Sequence, residues 1–456
     1  MKPSKYNLFF VHKNKDLAFN GMTSALAEID TNFWELFNSI ESIDLDKLSE
    51  KQKSVLDNMK EGGYVIEDDF DEAKFLKFKS YQSKFNQNGI SLTIAPTLTC
   101  NFDCPYCYEK ISSNIIDDEV IESIYKCVDG NARRNEDVYI TWYGGEPLIA
   151  QNVVWDMSKK MIEICEKYQV KYSSCMVSNG YLINNDIIQK LKESKIRCIQ
   201  ITLDGSPEVH NSRRKLKNSD KPTFDVILDN IKKLMNASIE VSIRINIDKT
   251  NVNELEELLD ILIENNLKSC SVNFGHVKPY TDACSSVSHT CLSTPEYANE
   301  SLRYQKILHD KGFSSFFYPY YPSIKFNYCC ADSASSFVVD PKGLLYKCWN
   351  DVGNHDRAVG NIKALVAMRE ERNNCKNFDL ELNDSGVIKS TMLNANYLLW
   401  SPFEHEKCSR CEVLPICMGG CPYNGLKNED NPECEKWKYN LIDVLKNAYD
   451  QRCCIV

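Results

Sequence analysis

The chain has 456 residues, 43% hydrophobic and 26% charged, with a formal net charge of −10. That is the mix of an ordinary globular protein, with material for two to four domains. The acidic balance argues against a nucleic-acid partner, which needs clustered Lys and Arg. No apolar run approaches the ~18 residues of a membrane span. The N-terminus carries no cleavable signal, so a cytoplasmic location is expected. There are 21 cysteines. In a long chain without an export signal they point to metal or cluster binding rather than to disulfides.

Residues 1–85 read as a separate unit. "YNLFFVHKN" and "DLAFNGM" are short strands. "TNFWELFNSI" and "SEKQKSVLDNMKEGG" have helical periodicity, the second stopped by Gly62 and Gly63. "YVIEDDFDE" is a third strand, and a connecting helix ends near Asn88-Gly89. Within residues 88–310, six strands alternate with helices: "SLTIAP", "DVYITWYGG", "YSSCMVSNG", "CIQITLDG", "EVSIRINID" and "SCSVNFGHV". Six such units predict an α/β fold with a parallel sheet, too short for a closed eight-stranded barrel. Its working residues belong where strands end and loops begin. Residues 311–456 lose the alternation and gain Cys, Pro and Gly, as in a loop-rich domain that needs staples.

The first strand of the α/β region runs into "TLTCNFDCPYCYEK". Cys100, Cys104 and Cys107 suit a soft metal or an iron–sulfur cluster. A structural zinc site would want a fourth ligand nearby, and the closest histidines in sequence, His12 and His210, are far along the chain. A four-iron cluster on three thiolates leaves one iron open to a substrate or cofactor.

The spacing Cys-x3-Cys-x-aromatic-Cys, with Tyr106 as the aromatic residue, resembles that of the radical S-adenosylmethionine (SAM) enzymes. The resemblance implies a partial (β/α)6 TIM-like barrel and a [4Fe–4S] cluster. The open iron of that cluster would chelate the amine and carboxylate of the cofactor, whose reductive cleavage gives a 5′-deoxyadenosyl radical. Further stretches at strand ends are similar to the family's cofactor motifs. Gly144, Gly145 and Glu146 of "GGEP" resemble the methionine-amine motif, with Glu146 offering its carboxylate to the ammonium. Ser178 and Asn179 of "VSNG" resemble "TNG". Asp204, His210 and Arg214 of "QITLDGSPEVHNSRR" match "SxDGxxxxHDxxR", while Thr202 stands where a serine usually contacts the cofactor and Asn211 replaces an aspartate. Arg214 is suited to the methionine carboxylate. Arg244 and Asn246 end the fifth strand and are expected in the same pocket.

The tail resembles the auxiliary-cluster (SPASM) domain of peptide-modifying radical enzymes. By that resemblance Cys408, Cys411, Cys417 and Cys434 hold one extra [4Fe–4S] cluster, and Cys329, Cys348 and Cys421 hold another. Its fourth ligand is Cys330, Cys291, Cys284 or none. Cys127, Cys165, Cys175, Cys198, Cys270, Cys375, Cys453 and Cys454 remain, several of them at apolar core positions. The terminal "CCIV" fits a prenylation box only superficially.

The N-terminal unit looks like a small winged-helix-like, leader-peptide-binding module in which a precursor strand adds to a sheet edge. The edge is expected within residues 5–23 or 64–70. The expected function is maturation of a ribosomally made, Cys-rich precursor peptide by an intramolecular thioether, with a flavodoxin or ferredoxin as electron donor. The alternatives are a sulfatase maturase forming formylglycine, carbon–carbon crosslinking or epimerisation. A non-enzymatic electron carrier would need no cofactor pocket.

Overall fold

A computed structural model describes residues 1–86, 88–110, 112–313, 321–366, 385–428 and 431–451. Cys375, Cys453, Cys454 and the "CCIV" terminus lie outside them.

The N-terminal unit begins with β1 (Lys2–Pro3), β2 (Asn7–His12), β3 (Lys15–Asn20) and β4 (Leu26–Ile29). β2, β3 and β4 form a three-stranded antiparallel sheet in that order. Lys13 and Asn14 join β2 to β3 with φ of 47° and 59°, the two left-handed residues that a tight hairpin between twisted strands requires. Two helices follow, α1 (Thr31–Ser39) and α2 (Glu50–Glu61). Asp30 caps α1 by accepting from Phe33 N–H, and Ser49 caps α2 through a capping box with Gln52. β5 (Val65–Ile66) pairs with β1, and α3 (Glu72–Lys84) leads out of the unit.

Alternation along β3 sends its side chains to opposite faces, and both faces are covered. Ala18 packs with Ile29, Phe33, Leu36, Leu56 and Met59. Leu17 and Phe19 pack against Val413, Ile416, Trp437 and Leu441 near the C-terminus. The unit is thereby fastened to the tail rather than hung from the chain. The expected strand at 64–70 shrinks to two residues, and β4 is an edge strand that the sequence reading did not identify. Its four residues, LAEI, are too short a run to show a period.

The α/β region follows the expectation. Its strands are β6 (Gly89–Ile94), β7 (Asp137–Trp142), β8 (Tyr172–Ser178), β9 (Ile196–Thr202), β10 (Glu240–Ile247) and β11 (Ser271–His276). All pair in parallel with their sequence neighbours. Helices α4 (Asp118–Ala132), α5 (Gln151–Lys167), α6 (Asn185–Glu193), α7 (Pro207–Arg213), α8 (Phe224–Asn236), α9 (Leu255–Glu264) and α10 (Thr294–Asp310) cover the sheet. Its core joins Leu92, Ile140, Ile199 and Ile243 of the strands to Val120, Met161, Leu191, Ile231 and Leu258 of the helices.

The tail extends this sheet. β12 (Ser336–Val339) pairs in parallel with β6 in the register Ser336↔Ser91 to Val339↔Ile94, and β13 (Leu344–Tyr346) and β14 (Gly360–Asn361) continue it. The nine-stranded order is β11-β10-β9-β8-β7-β6-β12-β13-β14. Cys348, two residues past β13, is thus carried to the side of the sheet that begins the cysteine loop. The tail also holds a 14-residue helix, Trp437–Asp450, where the sequence suggested mostly loop.

Candidate active site

The carboxyl ends of β6 to β10 meet on one edge, and each carries an expected motif. The cysteine loop after β6 is held at several points. The Thr97 and Thr99 hydroxyls donate to the Asn114 and Ser112 carbonyls, each at 2.9 Å. Asp103 N–H donates to Lys215 O at 2.9 Å. Gly145 N–H donates to Thr97 O and Glu146 N–H to Thr99 O. Gly144 has φ of +117°, and a Cβ on Gly144 or Gly145 would collide with the Thr97 or Thr99 carbonyl oxygen. Glycine is required there so that two strand ends can touch.

Glu146 is buried and links three segments. Its Oε1 accepts from the Ser178 hydroxyl at 2.9 Å and from Leu148 N–H at 3.1 Å, and its Oε2 accepts from Asn179 N–H at 2.7 Å. Asn179 Nδ2 donates to Asn101 Oδ1 at 2.7 Å, beside Cys100. "GGEP" and "VSNG" therefore lock the cysteine loop to the ends of β7 and β8.

On the opposite side of the loop, Tyr106 donates its hydroxyl proton to Asp204 Oδ2 and accepts from Arg214 Nη1 at 2.9 Å. Asp204 Oδ1 accepts from Asn246 N–H at 2.9 Å. Arg213 places Nη1 2.8 Å from both Asp248 oxygens and stacks over the Tyr106 ring. Buried His210 lies beside two guanidinium groups, and burial holds its imidazole well below the usual value. The neutral ring accepts Asp204 N–H through Nδ1 at 3.3 Å. Asn211, the departure from the family pattern, accepts Thr223 and Phe224 N–H at the start of α8, a task that Asn performs as well as Asp. Thr202 ends β9 in register with Arg244, whose Nε donates to Asn246 Oδ1 at 2.9 Å.

Two features suit a cluster and a zwitterionic ligand. Burial pushes Cys100 and Cys107 up to about 12, so their thiolates need the positive charge that iron supplies. Buried Arg214 Nε has no hydrogen-bond partner among the described residues, as a donor awaiting a carboxylate would. Glu109 was missed in the sequence, where nothing sets it apart. Burial pushes it up to about 7 despite a hydrogen bond with Tyr143, and the Glu146 carboxylate adds to the rise. Its Oε2 is buried without a partner.

In the tail, Cys408, Cys411, Cys417 and Cys434 line one cavity of about 270 Å³. Cys329, Cys348 and Cys421 pack around Ala331, Tyr397 and Tyr423. Cys330 lies against Cys329 and faces Lys347. Cys284 and Cys291 sit on the 282–290 turn and its end, with their thiols on the Thr281 and Val287 carbonyls. Of the fourth-ligand candidates, Cys330 is adjacent to Cys329.

Residues 94–262 match the radical SAM superfamily. A cysteine-type anaerobic sulfatase-maturating enzyme of Clostridium novyi is 25% identical over 383 residues, 77% of this chain and 94% of that protein. The structure resembles native anSMEcpe with bound AdoMet and Cp18Cys peptide, with a TM-score of 0.58 and 22% identity over 79% of this chain and 99% of that one. It also resembles Streptococcus suis SuiB bound to precursor peptide SuiA, with a TM-score of 0.51 and 16% identity over 95% of this chain and 98% of that one.

Proposed function

The chain is a radical SAM enzyme, and we propose that it matures a ribosomally made, Cys-rich precursor peptide by forming an intramolecular thioether. The observation that carries this reading is an open sheet edge above a groove. Among the described residues β4 pairs with β3 alone. A cavity of about 750 Å³ runs along its free side, lined by Leu26 to Asp30 and by Phe33, Val55, Met59 and Tyr64. Asn20 N–H bonds Ala25 O at 3.0 Å. The alternation of an antiparallel ladder then turns the N–H and C=O of Leu26 and Glu28 outward. A leader segment adds there as a fourth strand, its apolar side chains in the groove. The fold likeness to SuiB, which takes in more of this chain than the likeness to anSMEcpe, supports a peptide partner met by the whole chain.

Cys100, Cys104 and Cys107 would hold the cofactor's cluster, and Cys329, Cys348, Cys421 and the Cys408–Cys434 group the auxiliary ones. When bound, the cluster and SAM supply a carbon-centred radical that removes hydrogen from the substrate. The chain's own residues do the rest. Glu146, Ser178 and Asn179 fix the loop's position, Arg214 offers Nε to the methionine carboxylate, and the Tyr106–Asp204 pair closes the side of the pocket. A cytoplasmic setting and an electron donor of the flavodoxin or ferredoxin type belong to this reading. The second reading is formylglycine formation, favoured by the sulfatase-maturating relative aligned along most of the chain.

Glu28→Pro tests the edge, because proline removes an outward N–H without breaking the β3–β4 ladder. Glu28→Ala controls for the lost bonds to Lys15 and Tyr449. Isothermal titration with the precursor peptide should show about five- to tenfold weaker binding for proline than for alanine. Dithionite-driven SAM cleavage without peptide should be unchanged. Equal affinities would contradict strand addition at β4.

A further inference from the structure

We propose that Cys175 and Cys198 form a thiol–disulfide exchange site, in which Cys175 attacks a small-molecule disulfide and Cys198 then closes a bridge between β8 and β9. Neither cysteine belongs to a cluster group, and the site needs no metal. Its basis is a break in the register of the sheet. Ser174 pairs with Ile196 but Cys175 pairs with Cys198, so Arg197 is the extra residue of a β-bulge. In an unbroken register Cys175 would stand opposite Arg197. Ile196 and Ile199 turn into the helix-covered core, as does Met176 beside Cys175. Alternation therefore sends Cys175 to the other face of the sheet, and the bulge sends Cys198 there with it. Both are half-buried, whereas Cys127, Cys165 and Cys270 are buried in the core.

Neighbouring strands lie about 4.8 Å apart, inside the range of about 4.4–6.8 Å that a disulfide spans between Cα atoms. The two sulfurs already meet, the Cys198 thiol donating to the Cys175 sulfur. That hydrogen bond holds Cys175 below the usual thiol value, against burial and the Glu240 carboxylate, and holds Cys198 above it. Glu240 stands opposite Cys198 on β10. One sulfur is thus prepared to attack while the other waits as a thiol. The Cys175 thiolate attacks one sulfur of the small disulfide, and the first small thiolate leaves as a mixed disulfide forms. Cys198 then loses its proton and attacks the Cys175 sulfur, and the second small thiolate leaves. Two electrons pass from the protein thiols to the small disulfide, which departs as two thiols.

The test treats the anaerobically reconstituted protein with glutathione disulfide, quenches it with excess alkylating agent in denaturant, and digests it with trypsin for mass spectrometry. Each sulfur falls alone on its fragment, Cys175 on residues 172–190 and Cys198 on residues 198–213. The two fragments should appear joined, and dithiothreitol should separate them. Cys198→Ser should hold Cys175 as the mixed disulfide with glutathione, and Cys175→Ser should slow the reaction of Cys198 about tenfold or more. Fragments that stay unjoined overturn the proposal. So does joining of either fragment mainly to a cysteine other than its strand partner. Equal trapping of glutathione in the two serine variants overturns it too, since Cys175 is then not the attacking thiol.

Discussion

Replacing Cys100, Cys104 and Cys107 together by alanine should abolish SAM cleavage and lower the iron content of the reconstituted protein by about four atoms per chain. The two effects are linked because the loop carries nothing else that could hold the cluster. Asn101, Phe102, Asp103, Pro105 and Tyr106 fill the intervening positions, and Tyr106 is engaged with Asp204 and Arg214. The loop's frame does not depend on the thiols. Its anchors run from Thr97, Thr99, Asp103, Gly145 and Glu146, so the variant should keep its fold and its remaining iron. Circular dichroism and iron analysis on one sample separate loss of the cluster from loss of structure. Cleavage that survives in the triple variant would mean that the radical centre is elsewhere.

Asp204→Ala should lower unfolding stability by about 3–5 kcal/mol. The carboxylate is fully buried and takes the Tyr106 hydroxyl, the Asn246 N–H and the charge of Arg213. Removing it leaves two buried donors and part of a guanidinium charge without an acceptor, and desolvated groups cannot recover those bonds from water. Tyr106→Phe, which leaves the carboxylate in place, should cost about 1–3 kcal/mol. Urea unfolding of both variants measures the difference. Near-equal losses would mean that the Tyr106 bond, rather than the carboxylate's wider network, carries the stabilisation.

The sequence was most legible where chemistry forces spacing. Cys100, Cys104 and Cys107 fall within eight residues, so they are visible as a group. The six parallel strands are visible because each is an apolar run followed by an amphipathic helix. The motifs at their ends follow from the architecture, since loops after parallel strands share one edge. Legibility failed where partners are remote. β4 has four residues and is defined by its pairing with β3. β12 is a strand because it lies against β6, more than 240 positions earlier. Glu109 is one acidic residue among many, and only three dimensions reveal that Oε2 lacks a donor. Glu146 stands in the motif that suggests an ammonium contact, and its bonds to Ser178 and Asn179, which the motif does not announce, also tie strand ends together. A motif fixes where a side chain stands in the chain but leaves open which neighbour occupies it.

The central claim is peptide maturation by radical chemistry, and one experiment reaches it directly. The protein is reconstituted anaerobically with iron and sulfide, then incubated with SAM, dithionite and its Cys-rich precursor peptide. The peptide is alkylated and weighed by mass spectrometry. The account predicts 5′-deoxyadenosine, a peptide lighter by about 2 Da before alkylation because two hydrogens leave as one bond forms, and one cysteine that no longer reacts with the alkylating agent. Cofactor cleavage with the peptide mass unchanged and every cysteine still alkylated would contradict it.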